Sequence, residues 1–227
     1  MSYFCSLILI MAYILNIETA TKNCSVALAK DGEMISFRER AETGYSHAEK
    51  LHVFIEEILT ESNLKFSDLN AVAVSQGPGS YTGLRIGVSA AKGLCYALDI
   101  PLIAVDTLEV LASQITIEEG LVVPMIDARR MEVYSAVFDK NYQKIREVKA
   151  EILTRESFSD TDQTVYFVGD SSQKAKTVLQ GDNFVFKDDV VYPSAKQMAK
   201  KSYILFTNNR FEDVAYFEPF YLKDFMI

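Results

Sequence analysis

The segment Ser75–Gly93 reads SQGPGSYTGLRIGVSAAKG, and its residues are the ones in this sequence best suited to binding an anion. Gly77, Gly79 and Gly83 allow the backbone to turn sharply and to approach another group closely. The segment leads into a helix predicted at 84–98, and the N–H groups and dipole at a helix N-terminus attract phosphate. Without Gly-Lys-Ser or Gly-Lys-Thr it does not match a Walker loop. A phosphate cradle and a closely packed strand-to-helix turn both remain open.

The candidate phosphate contacts in this loop are Gly77, Pro78, Gly79, Ser80, Tyr81, Thr82, Gly83 and Arg85.

Three acidic residues, Glu18, Asp106 and Asp127, each end a predicted strand. A phosphotransferase places its magnesium ligands and its general base at such positions. Strand-end acids are also common as turn caps, so both interpretations are kept. Arg129 and Arg130 follow at a predicted hairpin tip and are candidate contacts for a partner or a phosphate, with an ordinary exposed turn as the alternative.

The histidines and cysteines do not predict metal chemistry. His47 and His52 are five residues apart, a net helical rotation of about 140°, so they do not share the face that a His-Glu-x-x-His zinc site requires. Cys5, Cys24 and Cys95 are far apart and indicate no disulfide framework. We therefore expect no metal and no cofactor, and we expect Cys24 and Cys95 to be small core residues.

The elements that would position these groups repeat along the chain. The first half predicts strands at 12–18, 24–29, 33–40, 71–75 and 101–105, with helices at 46–62, 84–98 and 107–114. A capping box at Ser46 and Glu49 begins the first helix. The second half predicts strands at 123–127, 132–138, 145–153, 164–168 and 184–186, and a last helix from Pro193. The segments ILNIETATKNCSVAL and VPMIDARRMEVYSAVF match weakly, about 110 residues apart, which suggests a duplicated unit.

Composition limits the classes of function. The chain has 227 residues, 49% hydrophobic and 24% charged, with a net charge of −8, so it can bury a core but is not expected to bind RNA tightly alone. The apolar run Tyr3–Leu15 is too short to span a bilayer and lacks the features of a signal peptide. We interpret residues 1–10 as an extension upstream of a native start at Met11, and we expect a cytoplasmic protein with no membrane contact.

The helices predicted at 46–62 and 84–98 carry more apolar surface than one sheet requires. A second stripe of small residues on 84–98 would let a further helix approach closely. We therefore predict that these helices form a partner surface, with packing inside the chain as the alternative. The predicted surface residues are Leu51, Phe54, Ile55, Ile58, Leu84, Gly87, Val88, Ala91 and Cys95.

Four segments, IETAT at 17–21, QGPGSYTGLRIG at 76–87, IDARRMEVYSAVF at 126–138 and PFYLK at 219–223, closely resemble the bacterial TsaB (YeaZ) family. The resemblance runs from Met11 to the C-terminus. It implies an α/β fold of two tandem ribonuclease-H-like (actin-like ATPase or sugar kinase) subdomains with mixed sheets flanked by helices. Their expected bounds are 11–115 and 116–227, with the last helix packing back on the first subdomain. Glu18 stands where the family often has Asp, and Lys223 where it usually has Arg.

The resemblance also implies a function. The family takes part in threonylcarbamoyladenosine modification of tRNA, as a non-catalytic partner of the transferase TsaD that supports the ATPase TsaE. It implies a homodimer when the protein is alone, and contact with tRNA only within the complex.

Two positions argue against catalysis. The His-x-x-x-His metal pair of TsaD-like enzymes falls on Thr107 and Leu111, and Leu111 cannot ligate a metal. After residue 121 only Gly169 and Gly181 remain, so a second nucleotide loop is not evident. The alternatives kept are an ATP-dependent phosphotransferase of the actin-like superfamily and a glycoprotease-like peptidase.

Overall fold

The computed structural model describes residues 11–42 and 47–223. The strands are β1 (Tyr13–Glu18), β2 (Asn23–Lys30), β3 (Glu33–Ala41), β4 (Ala71–Ser75), β5 (Leu102–Val105), β6 (Leu121–Asp127), β7 (Glu132–Phe138), β8 (Lys144–Ile152), β9 (Val165–Val168) and β10 (Phe184–Phe186). The helices are α1 (His47–Glu61), α2 (Tyr81–Leu98), α3 (Thr107–Ala112), α4 (Ser172–Lys176) and α5 (Met198–Thr207), with short 3-10 turns at Phe66–Asp68 and Ala195–Gln197.

The first sheet has the strand order β3-β2-β1-β4-β5. Strands β1, β2 and β3 form an antiparallel meander, in which the turn Asp31-Gly32 joins β2 to β3. Strands β4 and β5 then add in parallel to the other side of β1. Because β1 lies at the centre and both sheet faces are covered, its residues from Ile14 to Glu18 are all buried.

The second sheet repeats this topology in the order β10-β9-β6-β7-β8. Strand β6 takes the place of β1, with antiparallel β7 and β8 on one side and parallel β9 and β10 on the other. The predicted duplication is therefore confirmed at the level of strand order. The copies differ in their helices, because the five-residue α4 replaces the 18-residue α2 and residues 153–164 contain no counterpart of α1.

Helices cover the first sheet on both faces. Helices α1 and α2 pack on one face, where Leu15, Val26 and Val74 meet buried side chains of both helices. On the other face Ile14 and Ile103 pack with Met198 of α5. The last helix thus returns to the first sheet, as expected from the resemblance.

Helix α3 joins the two halves, because its side chains enter two cores. Val110 packs in the core of the first sheet. Leu108 and Leu111 pack with Phe138 and Val168 of the second sheet. The α3 backbone is therefore shared between the halves, and only the side-chain directions assign it to one core or the other.

A partly buried polar network ties residues 194–196 to the first sheet. The Ser25 hydroxyl lies 3.3 Å from the Ser194 hydroxyl and accepts the backbone N–H of Ala195. The Ser194 hydroxyl donates to Glu39 at 2.6 Å, and Lys196 pairs with the same carboxylate at 2.7 Å. These bonds lower the pKa of Glu39 against the opposing effect of burial.

The structure differs from the prediction in the start of one helix and in the presence of a further short helix. Helix α2 begins at Tyr81, three residues before the predicted start, because the Ser80 hydroxyl accepts the N–H of Gly83 and caps it. Helix α4 was not predicted, because its five residues are too few to show a helical period. The capping residue Ser46 and residues 1–10 lie outside the described part of the chain. Across 11–42 and 47–223, no helix combines the length and apolar character that crossing a bilayer requires.

Candidate functional site at the junction of the halves

The glycine-rich loop joins β4 to α2 and is held from both sides. The N–H of Ser80 donates to Ala20 O at 2.6 Å, and the N–H of Phe220 donates to Gln76 O at 2.8 Å. Gly77 has φ +116°, a conformation that L side chains rarely adopt. The loop therefore sits between the β1–β2 turn and the C-terminal segment.

The space beside the glycines is filled by the protein itself. A Cβ on Gly79 would lie 2.8 Å from the Ala20 side chain, and a Cβ on Gly83 would overlap the Thr19 carbonyl oxygen. A Cβ on Gly77 would lie 2.7 Å from the Phe220 carbonyl oxygen. The close approach that these glycines permit is made to the chain's own backbone, which supports the closely packed turn rather than a phosphate cradle.

The other predicted loop residues face outward beside the helix start. The Arg85 guanidinium stacks 3.9 Å over the Tyr81 ring and donates through Nε to the Tyr221 hydroxyl at 3.2 Å. Tyr81, Thr82 and Arg85 line an open hollow of about 460 Å³ with Ile86 and Ser89. Pro78 is buried and follows Gly77 through a cis peptide bond. The guanidinium keeps its charge but is held by two tyrosines of the chain, so this hollow presents a cation together with an aromatic ring.

Glu18 is fully buried at the end of β1. Its Oε1 accepts the N–H of Ala20 at 2.6 Å, and its Oε2 has no hydrogen-bond partner. Burial raises the pKa of this carboxyl to about 7, and the hydrogen bond from the Ala20 N–H opposes that rise. This acid caps its own turn and is closed off from solvent.

Asp127 makes the same turn contact in the second half. Its Oδ1 accepts the N–H of Arg129 at 2.8 Å, two residues on, and also accepts Lys174 Nζ at 2.5 Å. Its own N–H donates to Asp170, whose pKa burial raises to about 6. Arg129 and Arg130 are exposed at the tip of the turn. Asp127 is therefore a turn cap with an internal ammonium as its counter-ion.

The third strand-end acid, Asp106, is the N-cap of α3 and accepts the N–H groups of Leu108 and Glu109. Lys144 pairs with it at 2.7 Å. All three strand-end acids thus act as caps, which is the structural one of the two interpretations drawn from the sequence.

The two positions of the metal pair are occupied by interior contacts. Thr107 Oγ1 lies 2.6 Å from Ser75 Oγ and accepts the N–H of Gly77 at 2.9 Å. Leu111 is fully buried in the second core, beside Gly169. Thr107 thus fixes the glycine-rich turn to the end of β4, and Leu111 packs α3 onto the second sheet.

The histidines and cysteines do not form a catalytic or metal-binding group. His47 Nε2 lies 2.7 Å from Thr21 O, whereas His52 is exposed. Burial raises the pKa of the Cys24 and Cys95 thiols to about 11, which disfavours a thiolate nucleophile. Within the residues that the structure describes, no three His, Cys, Asp or Glu side chains come together as a metal-binding group.

The predicted partner residues require a correction. The buried members of the set are Leu51, Ile55, Ile58, Leu84, Gly87, Val88, Ala91 and Cys95. Most of them pack on the first sheet, Gly87 lies against Thr19, and Leu84 lies beside Gly77 of the glycine-rich loop. Phe54 is half-buried at the edge of the first-sheet core. The exposed residues of the two helices are others, among them Val53, Ser89, Gly93, Tyr96 and Ala97, which we call the outer face. A partner would meet the outer face.

Sequence reasoning missed the residues that reach the site from a distance. Lys174, Asp170 and Phe220 lie 40 or more residues from the turns they contact. The motif PFYLK contained Phe220 and Tyr221, but nothing in it indicated that they pack on the glycine-rich loop and Arg85.

Two sheets of the same topology, each with a capped β-hairpin at the junction, define a duplicated actin-like α/β protein. The family described as "TsaD: tRNA N6-adenosine threonylcarbamoyltransferase" matches residues 41–223. TsaB of Escherichia coli K12, a "tRNA threonylcarbamoyladenosine biosynthesis protein", is 32% identical over 220 residues, covering 93% of this chain and 94% of its own length. TsaB of Haemophilus influenzae is 30% identical, covering 93% of each. The chain therefore belongs to the TsaB family.

The solved structure of YeaZ from Pseudomonas aeruginosa has the same fold. Its TM-score is 0.82 at 23% identity, and the match covers 93% of this chain and all of that one. The fold expected from the resemblance is confirmed.

Proposed function

We propose that this chain acts in tRNA threonylcarbamoyladenosine biosynthesis as a non-catalytic partner of a TsaD-type transferase, in the cytoplasm. The chain supports the TsaE ATPase and contacts tRNA within that assembly. The observation that carries this proposal is the interior role of Thr107 and Leu111 at the expected metal-pair positions. Family membership supports the pathway, because the curated TsaB relatives bear its name.

A non-catalytic role is also supported by the surroundings of the carboxylates that a phosphotransferase would use. A phosphotransferase needs a carboxylate free to bind magnesium or to accept a proton. Glu18 is closed off from solvent, and Asp127 and Asp106 cap turns and pair with lysines. The glycine-rich loop packs on Thr19 and Ala20. These groups serve stability in this fold.

The outer face of α1 and α2 is the proposed contact with the transferase. Tyr96 of α2 is 86% exposed and Val53 of α1 is 49% exposed. Ser89, Gly93 and Ala97 follow one another at a spacing of four, so they share one side of the helix. A Cβ on Gly93 would meet no atom within 4 Å. A partner helix can therefore come close to the α2 backbone, and in the absence of transferase a second copy of this chain can use the same face.

The partner surface is tested with Gly93→Arg, which places a long charged side chain on the outer face without entering the core. We expect loss of co-purification with the transferase and a melting temperature no lower than that of wild type, because the substitution also removes a glycine from a helix. The matched control is Ile204→Arg, at a 45% exposed position of α5. If Gly93→Arg binds the transferase as well as wild type does, the proposed contact is wrong.

The function is tested by reconstitution. Transferase and ATPase are assayed for threonylcarbamoyl transfer to tRNA with and without this chain, and we expect activity to depend on it. The isolated chain is assayed for ATP hydrolysis in parallel. Turnover that disappears in Asp127→Asn would contradict a non-catalytic role and favour the phosphotransferase alternative.

A further inference from the structure

The turn between β6 and β7 has an unusual backbone for its residues. Arg129 has φ +72° and Arg130 has φ +51°, so two consecutive residues with long side chains are in the left-handed region. Glycine and asparagine are the residues that adopt this conformation readily, because a Cβ crowds the following carbonyl. Strain of this kind persists where the surrounding structure enforces it, and it often marks a functional position.

The surrounding bonds do enforce this conformation. Asp127 Oδ1 accepts the Arg129 N–H at 2.8 Å, and Lys174 Nζ donates to Arg130 O at 3.0 Å and to Glu132 O at 2.5 Å. The Ala128 N–H donates to Glu132 O at 3.1 Å. The turn is therefore a rigid platform that presents two arginine side chains.

Both guanidinium groups are available to a ligand. Arg129 and Arg130 are exposed, and neither forms an ion pair with any residue in 11–42 or 47–223. By contrast, Arg38, Arg40 and Arg146 are each paired with a glutamate. The tip therefore holds free cations in a chain whose net charge is −8.

The acids around the tip are already neutralised. Asp127 pairs with Lys174, and Glu132 pairs with Lys223. Lys22, on the β1–β2 turn of the first half, is exposed and acts electrostatically on Asp170. Arg129 and Arg130 therefore lie beside two acids that are each paired with a lysine, and Lys22 adds a further positive charge near Asp170, which accepts the N–H of Asp127.

We propose that the β6–β7 tip contacts the phosphate backbone of RNA, with Arg129 and Arg130 as the phosphate ligands and Lys22 as a neighbouring cation. This inference rests on the proposed function, in which the assembly acts on a tRNA. A guanidinium forms two parallel hydrogen bonds with a phosphate, which makes arginine well suited to this contact.

An acidic protein is a less suitable ligand for this surface. Arginine is also enriched at protein interfaces, but there it works beside aromatic and other large side chains that are buried at the centre of the contact. None of the exposed large hydrophobic residues lies in the turn 127–132. A polyanion that needs only charge and hydrogen bonds fits the tip better.

The test combines two substitutions, Arg129→Asn and Arg130→Gly, which remove both guanidinium groups and suit the left-handed backbone. Relief of strain should raise the melting temperature of the full chain by about 2–4 °C. Binding of a tRNA transcript by the chain, alone at low ionic strength and assembled with the transferase, should weaken. The slope of log K against log salt concentration should fall in magnitude by about 1.4–1.8, for two lost phosphate contacts.

The control removes two exposed arginines elsewhere, through Arg155→Asn and Arg210→Asn, and should leave the slope unchanged. An unchanged slope in the Asn-Gly variant overturns the inference, and if the assembly still forms and modifies tRNA the proposed function stands. Loss of transferase or ATPase binding with an unaltered tRNA slope identifies the tip as a protein contact and also overturns the inference. Failure of the proposed function differs from both, because wild type itself would then neither bind the transferase nor be needed for modification.

Discussion

The hydroxyl of Thr107, at the start of α3, lies 2.6 Å from the hydroxyl of Ser75, at the end of β4. The same Thr107 oxygen accepts the N–H of Gly77 at 2.9 Å. One buried hydroxyl therefore provides a hydrogen-bond partner both for Ser75 at the strand end and for the Gly77 N–H in the glycine-rich loop. Thr107 is the position where the resemblance to TsaD-type enzymes leads us to expect a metal ligand, and in this chain its hydroxyl is used in internal hydrogen bonds.

Thr107→Val should destabilise the fold, because it leaves the Ser75 hydroxyl and the Gly77 N–H buried without this partner. We expect a loss of about 2–4 kcal/mol in the free energy of unfolding, measured by urea denaturation. Thr107→Ser keeps the hydroxyl and should lose about 1 kcal/mol. Equal losses in the two variants would contradict the role given to the hydrogen bonds.

Replacing Gly83 and Gly93 of α2 by alanine should change the stability of the protein in opposite directions. Gly83→Ala places a Cβ against the Thr19 carbonyl oxygen and should cost about 2–4 kcal/mol. Gly93→Ala meets no atom within 4 Å and should stabilise the helix by about 0.5–1 kcal/mol. Chemical denaturation of both variants measures the contrast, and a tolerated Gly83→Ala would show that the turn does not pack as described.

Glu18→Gln should change how stability depends on pH. The wild-type carboxyl has a pKa of about 7 when folded, against an ordinary value of 4.5. Between about pH 4.5 and 7 the folded state therefore binds more protons than the unfolded state does. The free energy of unfolding falls as the pH rises through this range. The loss contributed by Glu18 is about 3 kcal/mol at most.

The Gln variant stays neutral while keeping an oxygen for the Ala20 N–H. It should match wild type near pH 5 and be more stable at pH 8. Asp170 is buried in both proteins, so its pH dependence cancels in the difference. Parallel stability profiles from denaturation between pH 5 and 8 would rule out an elevated Glu18 pKa.

Lys174→Met should loosen the β6–β7 turn. The ammonium donates to Arg130 O, Glu132 O and Asp127 Oδ1, and its loss leaves these acceptors without that donor. We expect a cost of about 1–3 kcal/mol, and faster hydrogen exchange at the Arg129 and Glu132 amides. Lys176→Met is the matched control. It removes an exposed pair with Asp188 and a contact of the ammonium with the Phe186 ring, and it should cost about 1 kcal/mol or less.

A comparable cost for the two lysine variants would mean that the turn is held by its backbone bonds alone. In that case the rigid platform assumed for Arg129 and Arg130 would lose its main support.

The local sequence pattern was sufficient to predict the strands and the duplicated unit. Some features depend only on residues that are neighbours in the chain, so they can be predicted without knowledge of the fold. They include the apolar runs, the Asp31-Gly32 turn and the acids at strand ends. The motifs that carry the family resemblance are local as well, and so is the absence of a histidine pair at Thr107 and Leu111.

Which side of α2 faces inward was decided by tertiary structure. The helix has two apolar stripes of similar character, and both Leu84 and Gly87 turned out to be buried. Thr19 from the neighbouring hairpin approaches α2 so closely that only glycine fits at Gly83 and Gly87. None of the residues that the structure describes packs against Gly93. Lys174 and Asp127, 47 residues apart, meet because two strands of one sheet bring their ends together. Such contacts depend on long-range chain closure, and no local period records them.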